Sequence, residues 1–225
     1  MLKIAFGALL KKMPLLLLIL SFLPLMACSA QDAPEKYQAG EGKDYEILVN
    51  PVRTADPSKI EVAEAFWYGC PHCFHFEPSL HTWLATIPKD VYFVGVPVVW
   101  DNPTRALHAK MYYTALQLKK LDALNTGIFN AMNVDKQPLD NEAAIAKFFS
   151  DNGVDPKDFA KTFNSFSVDS LVKQADAKVR GYNVTGTPTM IVNGKYKVMG
   201  APDKMLDVVN FLIEKERKAM KSAKK

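Results

Sequence analysis

Two cysteines separated by two residues stand in FWYGCPHCFHFEP, residues 66–78, with one histidine between them and another after them. Thiols and imidazoles at this spacing bind a metal ion, form a structural disulfide, or exchange electrons through a disulfide. A disulfide between Cys70 and Cys73 closes a very small loop and restricts the unfolded chain little. A purely structural bond is therefore not the favoured interpretation.

A metal site in this stretch would use Cys70, His72, Cys73 and His75 as ligands. Structural zinc sites usually take a second ligand pair from elsewhere in the chain, and the sequence has no further cysteine pair. Four ligands packed into six residues at a strand–helix junction would also be strained. Metal binding stays open as an alternative, and no metal ligand is assigned.

Redox exchange accounts for more of the pattern, because a Cys-x-x-Cys pair at the start of a helix in a βαβ setting is its signature. The helix N-terminus presents free N–H groups and a positive dipole end, which favour a thiolate. We predict that Cys70 is the exposed nucleophile and that Cys73, one turn further, is more buried and resolves mixed disulfides. Pro71 holds the turn, and His72 adds a donor or a positive charge beside Cys70. The other histidines are expected at the surface without a role: His75, His81 and His108.

Apolar periodicity indicates the elements that carry this pair. Residues 59–68 alternate as a strand and place Glu64, a carboxylate, on an otherwise apolar face. A helix is expected from Cys70, and Pro78 within it should cause a kink. The nearly continuous apolar run at 91–100 is typical of a strand covered on both faces of a parallel sheet.

The second half of the chain begins with a change of pattern. Residues 101–181 show helical spacing and no strand, which predicts a helical insertion. Strands return at 187–200, where Asn193-Gly194 indicates a hairpin, and Ala201-Pro202 begins a final helix. Together these patterns predict an α/β fold with an inserted α-helical domain.

The chain termini differ from the middle. Residues 1–30 combine three lysines, an apolar run of about 12 residues and a small-residue site, which is the pattern of a signal segment. The apolar run is too short for a membrane span, which needs about 20 residues. Either Cys28 is acylated after a lipoprotein signal, or cleavage after Ala30 discards it. Residues 31–44 are predicted to be a flexible leader, and 219–225 a basic tail.

The charge of the chain excludes one class of partner. The formal net charge is +4. Without the three lysines of the signal segment, 25 basic and 24 acidic residues remain, and the net charge is +1. A chain so close to neutral shows no electrostatic footprint for nucleic acid. Because the signal segment predicts export, we expect Cys70 and Cys73 to lie in an oxidising compartment, the bacterial periplasm.

The stretch FWYGCPHCFHFEP resembles the active-site segment of the DsbA family of thiol–disulfide oxidoreductases, and the similarity extends over about residues 45–215. The resemblance implies a thioredoxin-like domain from residues 45–100 and 182–218, with 101–181 as the helical insertion. It also implies that Glu64 is the buried acid near the cysteines. Thr187-Pro188 matches the family's cis-proline loop, which lies against the pair.

The same resemblance implies a function. An oxidised Cys70–Cys73 disulfide is donated to newly exported proteins through a mixed disulfide at Cys70, with no cofactor other than this redox-active disulfide. A quinone-linked membrane partner of the DsbB type then reoxidises the pair. Two alternatives stay open: a disulfide isomerase or reductase of the same superfamily, and a periplasmic metal-binding protein using both cysteines and a histidine.

Overall fold

The computed structural model describes residues 35–222. Helices and strands follow one another in this order: β1 (Glu46–Ile47), β2 (Ile60–Phe66), α1 (Pro71–Leu84), β3 (Val91–Pro97), α2 (Pro103–Gln117), α3 (Leu121–Asn133), α4 (Glu142–Asp151), α5 (Pro156–Phe163), α6 (Phe166–Gly181), β4 (Thr189–Val192), β5 (Tyr196–Val198) and α7 (Pro202–Ser222). The predicted order of strand, helix, strand, helical insertion, hairpin and helix is confirmed within this part of the chain.

The strands form one sheet in the order β1-β5-β4-β2-β3. β2 and β3 are parallel and are joined by α1, as parallel neighbours require a crossover connection. β2 is antiparallel to β4, with Ala65 opposite Thr189. β4 and β5 form the predicted hairpin, and its turn residues Asn193 and Gly194 have φ of 51° and 63°. Positive φ at both turn positions is what an Asn-Gly turn of this kind requires.

Both faces of β2 are covered, which explains why all seven of its residues are buried. On one face Val62 packs into an apolar cluster with Phe76 of α1 and Leu212 of α7. On the other face Ala63 belongs to a second cluster, which is built largely from the helical insertion. Ile60 and Val62 therefore serve one core and Ala63 and Ala65 the other, as the two-residue repeat of a strand dictates.

The helical insertion comprises α2–α6, and residues 101–181 contain no strand. Several of these helices begin with a side-chain cap that satisfies an otherwise unpaired backbone N–H. Asn102 accepts from the N–H of Arg105, and Asp155 accepts from the N–H groups of Lys157 and Asp158. The order Asp155-Pro156 thus begins a helix as the sequence predicts.

The structure corrects one expectation about the chain termini, and others concern residues that it does not describe. The expected leader, 31–44, is described only from residue 35, and there Tyr37 is buried and packs edge-to-face on Phe211 at 5.5 Å between ring centroids. These residues therefore contact the domain, and β1 behind them was not predicted. α7 continues to Ser222, so residues 219–222 of the basic tail form the end of this helix. The signal segment with Cys28, and residues 31–34 and 223–225, lie outside the described residues.

Two further observations concern the helices. α1 continues through Pro78 to Leu84 as one helix. Among residues 35–222, no helix is both long enough and apolar enough to cross a membrane.

Candidate active site: the cysteine pair at the start of α1

Cys70 is the N-cap residue of α1, where the chain turns from the sheet into the helix. Its carbonyl accepts the N–H of Phe74 at 3.0 Å, and its own N–H donates to the Trp67 carbonyl at 2.9 Å. Pro71 occupies the first helical position, where a missing N–H costs nothing. The Cys70 side chain consequently lies at the helix N-terminus, among N–H groups that have no partner within the helix.

Both cysteines are free thiols in this structure. Cys70 is 8% exposed and Cys73 1%, so the predicted order of burial is confirmed, although Cys70 itself is barely exposed. Of the two cysteines, Cys70 is therefore the one that keeps some contact with solvent.

The two thiols have opposite pKa shifts. The Cys73 thiol, the Thr187 side chain and the backbone N–H groups of Cys73 and His72 lower the pKa of Cys70 from 9.0 to about 5, against the opposing effect of burial. Burial, the hydrogen bond to Cys70 and the negative charge of Glu64 raise the pKa of Cys73. One sulfur is therefore a thiolate at neutral pH while its partner keeps a proton.

The peptide bond between Thr187 and Pro188 is cis, as the resemblance implied. The carbonyl oxygen of Thr187 lies 3.4 Å from Cys70 Sγ, although the two residues are 117 positions apart. Sheet topology explains the contact, because Ala65 near the end of β2 pairs with Thr189 at the start of β4. The residues just beyond these paired ends must meet at the same edge of the sheet.

Glu64 is buried on β2, at 5% exposure, as its place on the apolar face predicted. The structure records no hydrogen bond to its carboxylate from any residue in 35–222. Burial, then the charges of Glu77 and Cys70, raise the pKa of Glu64 well above its ordinary value. Glu64 and Glu77 line one cavity of about 320 Å³ between the sheet and α1–α3.

Glu77 is a site residue that the sequence interpretation missed. Burial raises its pKa, while Asn125 Nδ2 donates to its Oε1 at 2.6 Å and opposes that rise. Tyr68 Oη donates to Asn125 Oδ1 at 2.7 Å, which ties the segment before Cys70 to α3. The signal for Glu77 was present, since it stands four residues after Cys73 on the same helix face.

A second buried carboxylate, Glu61, was also missed, and it contrasts with Glu64. It is 1% exposed, with Lys178 Nζ at 3.0 Å and the hydroxyls of Tyr92 and Tyr182 at 2.9 and 3.2 Å. A buried charge with this many partners is compensated. Glu61 therefore fastens α6 to the sheet, whereas Glu64 is left to interact with the cysteines.

The histidines divide into exposed and buried ones. His75 and His81 are exposed, as predicted. The prediction for His108 is wrong, because its side chain is 1% exposed and hydrogen-bonded on both ring nitrogens. The recorded contribution of His72 to the Cys70 pKa comes from its backbone N–H. In residues 35–222 no three His, Cys, Asp or Glu side chains are arranged to hold a metal ion, so the metal-binding alternative has no geometric support.

Comparison with known proteins extends the similarity over both parts of the fold. Residues 92–208 match the DSBA-like thioredoxin domain family. The chain is 41% identical over 204 residues to the thiol:disulfide interchange protein DsbA of Pseudomonas syringae pv. tomato, covering 89% of this chain and 94% of the relative. It is 38% identical over 200 residues to DsbA of Pseudomonas aeruginosa, covering 87% and 92% of the two chains.

Solved structures give the same result in three dimensions. The crystal structure of Pseudomonas aeruginosa DsbA superposes with a TM-score of 0.79 at 38% identity, covering 84% of this chain and 98% of that one. The oxidoreductase DsbA from Xylella fastidiosa superposes with a TM-score of 0.75 at 34% identity, covering 80% and 98%. The sheet and the helical insertion are therefore shared with these proteins.

Proposed function

This chain belongs to the DsbA family of thioredoxin-fold proteins, and on that premise we propose how its two cysteines work. It is a thiol:disulfide oxidoreductase that acts on proteins. The observation that carries the proposal is the split of the pair, with a Cys70 pKa of about 5 and a Cys73 pKa raised above its ordinary value. The direction we propose is oxidation of newly exported proteins.

In the first step a substrate thiolate attacks Sγ of Cys70 in the oxidised protein. The Cys70–Cys73 bond breaks, a bond forms between the substrate sulfur and Cys70, and Cys73 leaves with the bonding electron pair. Burial disfavours the Cys73 thiolate, so Cys73 takes up a proton as it leaves. We assign that proton to Glu64, whose carboxyl has a raised pKa and whose charge acts on Cys73.

In the second step another thiolate of the same substrate attacks the substrate sulfur that is bonded to Cys70. The substrate disulfide forms, and Cys70 leaves as a thiolate. Leaving groups of low pKa depart faster, so the lowered Cys70 pKa favours release of the oxidised substrate. Two electrons have then passed from the substrate to the Cys70–Cys73 pair. The cis-proline loop at Thr187-Pro188 forms one side of the surface that receives the substrate.

The lowered pKa also gives the disulfide oxidising power. A Cys70 pKa of about 5 lies two units below pH 7. Relative to a thiol that stays protonated, ionisation of Cys70 therefore stabilises the reduced form by roughly 2.7 kcal/mol. For a two-electron couple this corresponds to about 60 mV. Ionisation of Cys70 therefore raises the reduction potential of the pair by about this amount, in the direction of a disulfide donor.

Turnover requires reoxidation of the pair. We propose a quinone-linked membrane partner of the DsbB type, whose quinone takes up the two electrons of the reduced pair with two protons, one from the Cys73 thiol and one from the solvent, because Cys70 is already a thiolate. A periplasmic location is supported by the signal pattern of residues 1–30. A lipid on Cys28 is a separate proposal, which rests only on the Leu25-Met26-Ala27-Cys28 pattern. The mass of the mature protein tests the cleavage site and the lipid, because cleavage before an acylated Cys28 and cleavage after Ala30 leave different masses.

Oxidation of a reduced test protein by stoichiometric oxidised enzyme tests the assignment of the cysteines. Cys70→Ser should abolish oxidation, because the attacked sulfur is gone. Cys73→Ala cannot form the disulfide that drives oxidation, but its Cys70 should accumulate mixed disulfides with oxidised substrates on non-reducing gels. Full activity of Cys70→Ser would contradict the assignment.

Equilibration with glutathione buffers separates an oxidase from a reductase. The DsbA family itself supplies the reference potential of about −120 mV, and thioredoxin supplies about −270 mV. We expect a potential well above the thioredoxin value. A potential near about −270 mV would instead support the reductase alternative.

A further inference from the structure

A buried histidine of the helical insertion holds the segment that leads into Cys70. The Trp67 indole Nε1–H donates to His108 Nδ1 at 2.8 Å, with the two rings nearly parallel at 18°. On its other side, His108 Nε2 lies 3.1 Å from the Pro138 carbonyl and 3.2 Å from the Leu139 carbonyl. His108 therefore connects the loop between α3 and α4 to the residues just before the cysteine pair.

The partners of His108 allow one protonation state. An indole N–H only donates and a carbonyl oxygen only accepts, so Nδ1 must be the bare acceptor and Nε2 must carry the proton. A second proton, on Nδ1, would point at the Trp67 N–H and remove this bond. Burial lowers the pKa of His108, against the opposing effects of the two carbonyls and Asp140, and this keeps the ring neutral.

The Trp67 residue that His108 holds is in contact with the cysteine segment in two ways. The Trp67 carbonyl accepts the N–H of Cys70 at 2.9 Å. A Cβ placed on Gly69 would lie 2.4 Å from the indole ring, so Gly69 rests directly on that ring. The Arg105 guanidinium lies 4.8 Å from the Trp67 ring centroid and also contacts Trp100, which restrains the indole further. A shift of this ring must move the backbone that carries Cys70.

We propose that His108 is a positioning residue for disulfide exchange at Cys70, and that it acts by holding the Trp67 indole in place. The proposal rests on the proposed function for the identity of the reaction, but its physical content is local. The Cys70 thiolate depends on N–H groups of residues 72 and 73, and its sulfur must face them. A side chain of α2, 38 residues away along the chain, thus sets part of the active-site geometry.

The test compares His108→Leu with His108→Asn. Leucine removes the acceptor, whereas asparagine keeps an acceptor atom at the position of Nδ1 and should restore the bond to Trp67. The readouts are the Cys70 pKa, from the ultraviolet absorbance of the thiolate against pH, and the reduction potential. We expect His108→Leu to weaken thiolate formation by roughly threefold to tenfold, or half to one pKa unit, and His108→Asn to recover most of it.

A second pair of variants removes the indole N–H instead. Trp67→Phe keeps a ring against Gly69 but loses the donor, and should shift the Cys70 pKa in the same direction as His108→Leu. The matched control is Trp83→Phe, because Trp83 Nε1 donates to Asn210 Oδ1 at the same 2.8 Å but on the side of the sheet that packs against α7. This control should cost stability without changing the Cys70 pKa.

The results separate this proposal from the proposed function. Unchanged Cys70 pKa and potential in folded His108→Leu, or in Trp67→Phe should the leucine variant not fold, would overturn the positioning role. Equal shifts in the leucine and asparagine variants would also overturn it, because the acceptor would then be irrelevant. A wild-type protein that fails to oxidise reduced substrates would contradict the proposed function alone, since the pKa comparison needs no turnover.

Discussion

At the scale of single residues, the chemistry depends on different surroundings for two residues of the same type. Cys70 at the helix N-terminus collects donors and has a lowered pKa, while Cys73, three residues on, is buried and keeps its proton. Glu61 and Glu64 repeat the contrast on one strand, because Glu61 has an ammonium and two hydroxyls as partners and Glu64 faces Glu77 and the cysteines. Burial without such partners, together with the charges of Glu77 and Cys70, is what raises the pKa of Glu64.

Thr187→Val tests the contribution of one donor to the thiolate. Valine has nearly the same shape but lacks the hydroxyl that helps to lower the Cys70 pKa. We expect the Cys70 pKa to rise by roughly one unit, which lowers the reduction potential at pH 7 by about 30 mV. Thiolate absorbance and glutathione equilibration measure the two quantities.

The control for this prediction is Thr189→Val. Thr189 Oγ1 donates to the Gly186 carbonyl at 2.7 Å, so this variant loses a hydrogen bond in the same loop without touching Cys70. Equal pKa changes in both variants would show that the loop, and not the Thr187 hydroxyl, is responsible.

At the scale of elements, the β4–β5 hairpin must be in place for Thr187 to reach Cys70. Its turn is fixed against the segment before β2, where the Val52 N–H donates to the Gly194 carbonyl at 2.8 Å. Its other side is fixed to α7 by the buried Glu216, which accepts from Lys195 at 2.7 Å and from Tyr196 Oη at 3.0 Å. The hairpin is therefore held from two directions.

Gly194→Ala should destabilise the protein far more than Gly153→Ala. Both glycines have positive φ, 63° and 77°, so both substitutions carry the left-handed penalty of about 1–2 kcal/mol. Only at Gly194 would the new Cβ meet a backbone atom, the Val52 carbonyl oxygen, whereas Gly153 has nothing within 4 Å. We expect the Gly194 variant to lose at least about 2 kcal/mol more in urea unfolding. Equal losses would show that the clash is relieved at no cost.

At the scale of the whole molecule, the helical insertion is fastened to the sheet at buried polar contacts as well as through its apolar core. The ion pair of Lys178 with Glu61 joins α6 to β2, and the bond of His108 to Trp67 joins α2 to the active-site segment. The free energy of unfolding also depends on the redox state of the cysteine pair, because only the reduced protein contains the Cys70 thiolate.

The reduced protein should gain stability with rising pH between about 5 and 9. In this window the native Cys70 is a thiolate while the unfolded thiol keeps its proton, since the folded pKa of about 5 lies below 9.0. The unfolded state binds more protons there, so the free energy of unfolding rises with pH and the gain is lost as pH falls through 5. Cys73, with a raised pKa, is protonated in both states and adds nothing.

Urea unfolding of reduced wild type and reduced Cys70→Ser at pH 5 and pH 7 measures this effect. The difference in unfolding free energy between the two proteins should grow by about 2 kcal/mol from pH 5 to pH 7. All other titrating groups are common to both proteins and largely cancel. A constant difference would mean that the Cys70 pKa is not lowered by folding.

The sequence by itself determined the parts of this protein that depend on local pattern. Alternation predicted β2 with its buried Glu64, and Asn193-Gly194 predicted a turn with positive φ at both residues. The spacing of Cys70 and Cys73 after a strand predicted which thiol is more buried. These features follow from the periods of strand and helix and from the conformations that a residue type permits, which are properties of neighbouring residues.

Only the tertiary structure decided which distant groups meet. It brought Thr187 to Cys70, Lys178 to Glu61 and His108 to Trp67, over separations of 117, 117 and 41 residues. It also buried Tyr37 in a segment that reads as a polar leader. Local periodicity carries no information about such contacts, because they depend on how whole elements pack. His108 is buried and hydrogen-bonded for this reason, although its local sequence predicted a surface position.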